Sequence, residues 1–365
     1  MEMQKYQNKL SPIQTLYFGG GTPSLLTPIQ LQSVINQIQK HQKFDKNPEI
    51  TLEIDPGTFD SQKLNDFHSL GVNRLSMGIQ TFNEEEFQLL GRGHNFNEID
   101  RSINEVLKSN FKQEQVSIDQ IIGIPKQTKQ SQFESLKQSV KFGFHHQSFY
   151  MLTLEQNTPF MKKYQYDSKP LPVTDDVTDM YLQTHDFLES QGFIHYELSN
   201  YSKSLTNQSR HNNMYWEGDQ EYLAFGVGAA SYIKNKRFSR PKTLTRYYKF
   251  VNYFGTLNSQ DFQEKYKAEA DSSYDIIQTI IMCQLRKKSG LQYDKLSNYI
   301  PNYEEIQNLI IRDIKLKYKE QTELYFSNLN KIDGISLTPQ GWLVSNQIIS
   351  DIQLMFDQYL LRNQN

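Results

Sequence analysis

Between residue 13 and about residue 200, short extended apolar segments alternate with segments in which apolar residues recur every three or four positions. The pattern predicts strands near 14–18, 49–55, 73–79, 115–122, 147–154 and 194–199, separated by one or two amphipathic helices. Such βα repetition is the mark of a parallel sheet or barrel. The first helix carries a clear start signal. Thr27 stands as N-cap, Pro28 at the first helical position and Gln30 where a capping box needs it, ahead of a stripe of Leu31, Val34, Ile35 and Ile38. Asn83 with Glu86 repeats the device before Phe87, Leu89 and Leu90.

The predicted strands are polar on one side. Parallel strands covered by helices on both faces read as continuous apolar runs. In ITLEIDPGT, however, Ile50, Leu52 and Ile54 alternate with Thr51, Glu53 and Asp55, and in RLSMGIQ, Leu75, Met77 and Ile79 alternate with Ser76, Gly78 and Gln80. Ser117 and Asp119 in VSIDQIIG, and Thr153 and Glu155 in YMLTLE, extend the pattern toward the C-terminal strand ends. One such residue is only a strand turning polar where its loop begins. Four strands doing so at one end describe a barrel with a polar interior, which is expensive unless it solvates a ligand.

Gly19, Gly20 and Gly21 close the first strand at that same rim, in LYFGGGTPSLL. Neither the dinucleotide fingerprint G-x-G-x-x-G nor a phosphate loop with Gly-Lys-Ser/Thr is present. What remains is a backbone nest for a small polar group, such as the ammonium or carboxylate of an amino acid.

Composition narrows the partner. The 365 residues carry a formal net charge of −2 and are 37% hydrophobic, enough for a large domain plus a smaller one. The pI near 6.5 gives no electrostatic case for nucleic acid or a polybasic membrane contact, so the expected partner is a small molecule. No apolar run approaches a membrane span, and MEMQKYQNKLSP resembles neither a signal nor a transit peptide. The chain therefore reads as cytoplasmic, with the mitochondrion as alternative if a presequence precedes Met1. A single cysteine, Cys283, excludes an internal disulfide or a multi-cysteine metal site built by this chain alone.

YFGGGTPSLL, EIDPGT, GVNRLSMGIQTFNEEEFQLLGRGHN, DQIIGIP and SRHNNMYWEGDQEYLAFGVGAASY occur in this order. Together they resemble the oxygen-independent coproporphyrinogen III oxidase-like family of radical S-adenosylmethionine (SAM) enzymes, within it most closely the HemW-type haem chaperones. The resemblance implies an α/β fold, a partial (β/α)6 barrel lacking its first βα unit, with a mainly helical C-terminal domain. It places SAM at the glycine loop. Gly20, Gly21 and Thr22 would contact the methionine part, and Glu53, Gln80, Arg92 and Asp119 would line the site around its methionyl and ribosyl groups. It also implies haem or porphyrin as ligand and haem-accepting proteins as partners, with no nucleic acid and no stable membrane insertion.

Family members open with C-x3-C-x2-C, whose thiolates hold a [4Fe–4S] cluster, and this chain has no such motif. One cysteine cannot ligate three irons. Cys283 falls in DIIQTIIMCQLRKKSG, where a small buried hydrophobe is expected. As written, the chain cannot generate a 5′-deoxyadenosyl radical. Three accounts stay open: a haem chaperone whose amino terminus is missing from this sequence, a cluster-less SAM- or haem-binding protein, and a conventional barrel enzyme using Glu53, Asp119 or Glu155 as acid or base.

His211, followed by Tyr215 and Trp216, forms the HNxxYW motif that the resemblance associates with haem contact. A histidine beside aromatics is, by itself, as readily a hydrogen-bonded core residue. His94 and His195 also lie near motif blocks, without that aromatic sequel. The domain reading is a barrel over 1–235, a solvated connector over 236–265 and a helical domain over 266–365. In the last, helices near 270–288, 291–299 and 303–320 precede a small wing bracketed by Gly334 and Gly341 and a final helix. Its mixed charge offers no DNA-binding stripe.

Overall fold

The computed structural model describes residues 11–91, 96–256, 271–300, 303–330 and 334–362. Backbone contacts divide the chain into two compact units, one of Gln14–Asn36 and Asp45–His211, the other of Met1–Ile13, Gln37–Phe44 and Asn212–Asn365. The division falls between His211 and Asn212, within the segment 1–235 expected to form the barrel.

The first unit holds a seven-stranded sheet. Its strands are β1 (Ile13–Phe18), β2 (Phe44–Ile54), β3 (Arg74–Gln80), β4 (Val116–Ile122), β5 (His146–Met151), β6 (Ile194–Glu197) and β7 (Asn200–Ser202), in the order β1-β2-β3-β4-β5-β7-β6. The pairs β2–β3, β3–β4 and β4–β5 are parallel. Between them run α1 (Pro28–His41), α2 (Ser61–Ser69), α3 (Glu84–Leu89), α4 (Glu98–Lys108) and α5 (Lys129–Lys141), with α6 (Pro159–Lys163) and α7 (Thr174–Ser190) before β6. The sheet and its covering helices are the α/β partial barrel that was expected.

Both capping signals work as read. The Thr27 N–H donates to Gln30 Oε1 at 2.8 Å, the Gln30 N–H donates to Thr27 Oγ1 at 3.2 Å, and Asn83 accepts from the Glu86 N–H. The apolar strand residues Leu52, Ile54, Leu75, Met77, Ile79, Val116 and Ile118 are all buried, as are Leu31, Leu64, Phe67, Ile103 and Leu136 on the helices. Burying a side chain of this size contributes roughly 1.5–3 kcal/mol.

Two expectations need correction. Strand β5 ends at Met151, so Thr153 and Glu155 lie beyond it and are exposed. The sixth predicted strand is a β6–β7 hairpin whose second arm pairs antiparallel with β5. An antiparallel neighbour follows from a short hairpin, whereas a parallel one needs a crossover helix.

In the second unit, β8 (Ala230–Tyr232) and β9 (Arg237–Ser239) form a hairpin, followed by α9 (Leu244–Thr256). The described part of the predicted connector is therefore ordered structure. Arg240 and Phe254 are fully buried, and the Arg240 guanidinium lies 5.3 Å from the Phe225 ring and 5.2 Å from that of Phe238. Cation–π contact and a hydrogen bond to Ser231 Oγ at 2.8 Å let a charge stay buried where a snorkelling side chain was expected.

The helical part comprises α10 (Ser273–Gln284), α11 (Tyr293–Ser297), α12 (Tyr303–Tyr318), α13 (Thr322–Tyr325), the β10 (Phe326–Asn330) and β11 (Gly334–Leu337) wing, α14 (Pro339–Leu343) and α15 (Ser345–Arg362). Ile276, Ile277, Ile280 and Ile281 form the buried stripe of α10. Trp342 Nε1 donates to the Leu285 carbonyl at 3.1 Å. Cys283 is buried on α10 and burial raises its thiol pKa, as expected of a structural cysteine. Among the described residues no helix is long and apolar enough to cross a membrane.

Candidate functional site

Strand register assembles the polar interior. Glu53 pairs with Ser76, Ser76 with Ser117 and Ser117 with His146, so one lateral row crosses four strands; Gly78, Asp119 and Ser148 form the next. The alternation read in β2, β3 and β4 is thus one face of one sheet. Ser76 Oγ donates to Asp119 Oδ2 at 2.6 Å and Ser117 Oγ to Asp119 Oδ1 at 2.8 Å. Burial raises the Asp119 pKa, and hydrogen bonds from Ser76, Ser148 and Ser117 work against that rise.

The register slips between Gly78 and Gln80, and Gln80 takes a positive φ of 73°. A bulge of this kind re-aims a side chain beside a site. A Cβ at position 78 would lie 2.7 Å from Gln80 Nε2 and 3.0 Å from Asp55 Oδ1. Glycine there leaves room for both groups.

The glycine loop is shaped by Glu53. Its Oε2 accepts the Gly20 N–H at 3.0 Å and its Oε1 accepts the Tyr17 hydroxyl at 2.8 Å. Thr22 Oγ1 donates to Asp55 Oδ2 at 3.0 Å. Gly20 and Gly21 have φ of 73° and 61°, with nothing within 4 Å of a Cβ built on either. The loop is therefore an open cradle in a left-handed conformation that glycine adopts without strain. Glu53 for an ammonium and Gln80 with Asp119 for hydroxyls make a set of polar groups that fits the ammonium and ribosyl groups of SAM, and the open glycine turn leaves room for the rest of its amino-acid part. The residues do not fit a [4Fe–4S] cluster. Cys283 is the chain's one cysteine, and among the described residues no group of three or more His, Cys, Asp or Glu can hold a metal.

His211 lies in the same unit and touches this site through β1. Its Nδ1 is 3.0 Å from Thr15 Oγ1, and its ring stacks on that of Tyr17 with centroids 4.7 Å apart and planes at 19°. The Glu49 carboxylate accepts the backbone N–H groups of Arg210 and His211 at 3.0 and 2.9 Å, capping α8 (Arg210–Tyr215). Burial lowers the His211 pKa to about 4, so the imidazole is neutral at neutral pH. Burial also pushes the Tyr17 hydroxyl far above its ordinary value, with the charge of Glu53 next in effect.

A second chain of contacts reaches the same segment. Ser117 Oγ lies 2.8 Å from His146 Nδ1, His146 Nε2 lies 2.7 Å from Tyr196 Oη, and that oxygen accepts the Ser209 N–H at 3.3 Å. His146 is fully buried and its pKa is held well below 6.5 by that burial.

Gly20, Gly21, Thr22, Glu53, Gln80, Asp119 and His211 therefore share one unit. Tyr215 and Trp216 belong to the other, and Arg92 and His94 lie outside the described residues. His195 is buried, stacked on Tyr201 at 3.9 Å, with its Nδ1 3.1 Å from that of His185, which accounts for it as a core residue. Tyr17 and Glu49 were not anticipated. The signal for Tyr17 was its place two residues after Thr15, on the strand face that ends in the glycines.

Known proteins bear on these residues. The family model of the radical SAM superfamily matches residues 1–138. The chain is 33% identical over 360 residues to the heme chaperone HemW of Synechocystis sp., covering 96% of this chain and 85% of the relative. It is 28% identical over 368 residues to the heme chaperone HemW of Lactococcus lactis, covering 100% and 88%. A mitochondrial radical S-adenosyl methionine domain-containing protein 1 of Mus musculus is 34% identical over 60% of this chain and 48% of its own length. Among solved structures, coproporphyrinogen III oxidase (HemN) from Escherichia coli superposes with a TM-score of 0.72 at 23% identity, covering 95% of this chain and 78% of that one. This last likeness establishes the fold.

Proposed function

Because the chain belongs to the HemW-type haem chaperone branch of the radical SAM superfamily, we propose that it binds haem through His211 and hands it to a haem-accepting protein. The observation that carries this reading is the state of His211. Burial holds it neutral, Thr15 and Tyr17 orient its ring and Glu49 fixes its backbone, and a neutral, oriented imidazole supports the proposed role of axial nitrogen donor. Tyr215 and Trp216 follow in sequence as candidates for packing against a porphyrin face.

The glycine loop is proposed to hold SAM. Gly20, Gly21 and Thr22 would receive its methionine part, Glu53 its ammonium, and Gln80 and Asp119 its hydroxyl-bearing ribose; Arg92 is proposed for the same site on motif alone. Held there, SAM supplies a sulfonium and an amino-acid head group whose charges these residues can read. No radical step is assigned, because one cysteine does not furnish three thiolate ligands.

Haem titration of the full chain tests the haem assignment. The wild type is expected to bind with a shifted Soret band, His211→Ala to bind at least about tenfold more weakly, roughly 1.4 kcal/mol, and His195→Ala to bind as wild type. Equal affinity for wild type and His211→Ala would rule out this ligand.

A further inference from the structure

Strand β1 serves both proposed sites with one side chain. The Tyr17 ring stacks on His211 at 4.7 Å, and the Tyr17 hydroxyl donates to the Glu53 carboxylate at 2.8 Å. That same carboxylate accepts the Gly20 N–H of the glycine cradle. Gly19 permits the arrangement, since a Cβ there would stand 2.6 Å from Tyr17 Cε1 and 2.9 Å from Glu53 Oε1.

We infer that Tyr17 is the positioning residue through which occupancy of the glycine-loop site is read at His211. This rests on the reading of that loop as an amino-acid site. An ammonium arriving at the cradle and the Tyr17 hydroxyl draw on the same carboxylate. A carboxylate that pairs with an ammonium gains a stronger, charge-assisted partner than a phenol, so the ligand loosens or redirects the hydroxyl. The ring that Glu53 orients is the ring beneath the imidazole. A change in one contact is therefore felt at the other, over a path of two contacts and no moving domain. Linkage makes the effect reciprocal: whatever factor the amino-acid ligand imposes on haem affinity, haem imposes on the ligand.

Two readouts on the full chain separate this coupling from the functions it connects. The first needs no haem. With 13C-labelled histidine, the His211 Cε1–Hε1 resonance, identified by its loss in His211→Gln, is followed while S-adenosylhomocysteine is added and its binding is measured by equilibrium dialysis. The wild-type resonance is expected to move as the site fills. In Tyr17→Phe, which keeps the ring and deletes the hydroxyl, it is expected to stay in place although the nucleoside binds. Tyr17→Leu serves if Tyr17→Phe does not fold.

The second readout is haem titration with and without saturating S-adenosylhomocysteine. A change in half-saturation of about fivefold or more is expected in wild type, and a ratio near one in Tyr17→Phe. Binding of the nucleoside with an unmoved His211 resonance, or an equal shift in Tyr17→Phe, overturns the coupling and leaves haem binding untouched. A hydroxyl-dependent shift in a chain that binds no haem supports the coupling and overturns the haem assignment. Failure of the nucleoside to bind overturns the coupling together with the loop assignment.

Discussion

Gly20 and Glu53 define what a single residue can decide here. Gly20→Ala places a methyl group in open space but forces an L side chain into a left-handed backbone, which costs about 1–2 kcal/mol. A loop that relaxes out of this conformation also withdraws the N–H that Glu53 accepts. The expected result is at least about tenfold weaker S-adenosylhomocysteine binding by calorimetry, with a fall of only a few degrees in melting temperature. Undiminished affinity would show that the cradle is not the binding surface. At this scale the sequence was readable where chemistry and periodicity agreed. Glu53, Ser76, Ser117 and Asp119 announce themselves as polar residues at every second position of apolar strands. Tyr17 does not, because a tyrosine in a strand is as much an apolar residue as a hydrogen-bond donor. Its role depends on a histidine 194 positions away, a pairing that only the fold creates.

The elements were legible to the extent that they are local. Capping signals at Thr27 and Asn83 and the strand periodicity of β2, β3 and β4 depend on neighbours within a few residues, and these elements form where they were read. The hairpin that inserts β7 beside β5 depends on a long-range choice of partner that neither arm encodes alone. The burial of Arg240 is illegible for a similar reason: RFSRPKTLTRYYKF reads as polar until Phe225, Phe238 and Ser231 are seen around that guanidinium. The helical part offers a sharp test of packing. A Cβ on Gly341 would lie 2.0 Å from the Tyr325 carbonyl oxygen and 3.2 Å from Leu337 Cβ. Gly341→Ala must therefore push α14 away from the α13–β10 corner. A loss of about 1–3 kcal/mol is expected by analogy with overpacked cores, measured by urea denaturation. An unchanged midpoint would mean that this corner is looser than its geometry.

Over the whole molecule, the neutral imidazole of His211 sets a pH dependence. Its pKa is about 4 in the fold against an ordinary value of 6.5. As pH falls through 6.5 the unfolded chain takes up a proton that the folded chain refuses, and stability is lost until about pH 4 is reached. His211→Gln abolishes that contribution. The wild-type melting temperature is therefore expected to fall more steeply than the variant's between pH 6.5 and 4, and in parallel with it above pH 7. Parallel curves throughout would place His211 in contact with water.

Family membership fixes the haem chaperone branch, but binding haem and delivering it are different properties, and delivery is the central claim. The most direct measurement loads the full chain with haem, mixes it with an excess of an apo-protein that accepts haem, and follows the transfer of the Soret band as acceptor concentration is raised. A chain that hands haem over in a complex with its partner gives a transfer rate that rises with acceptor concentration. A rate that stays constant, equal to spontaneous loss of haem to solvent, would contradict the account and leave a haem-binding protein without a delivery function.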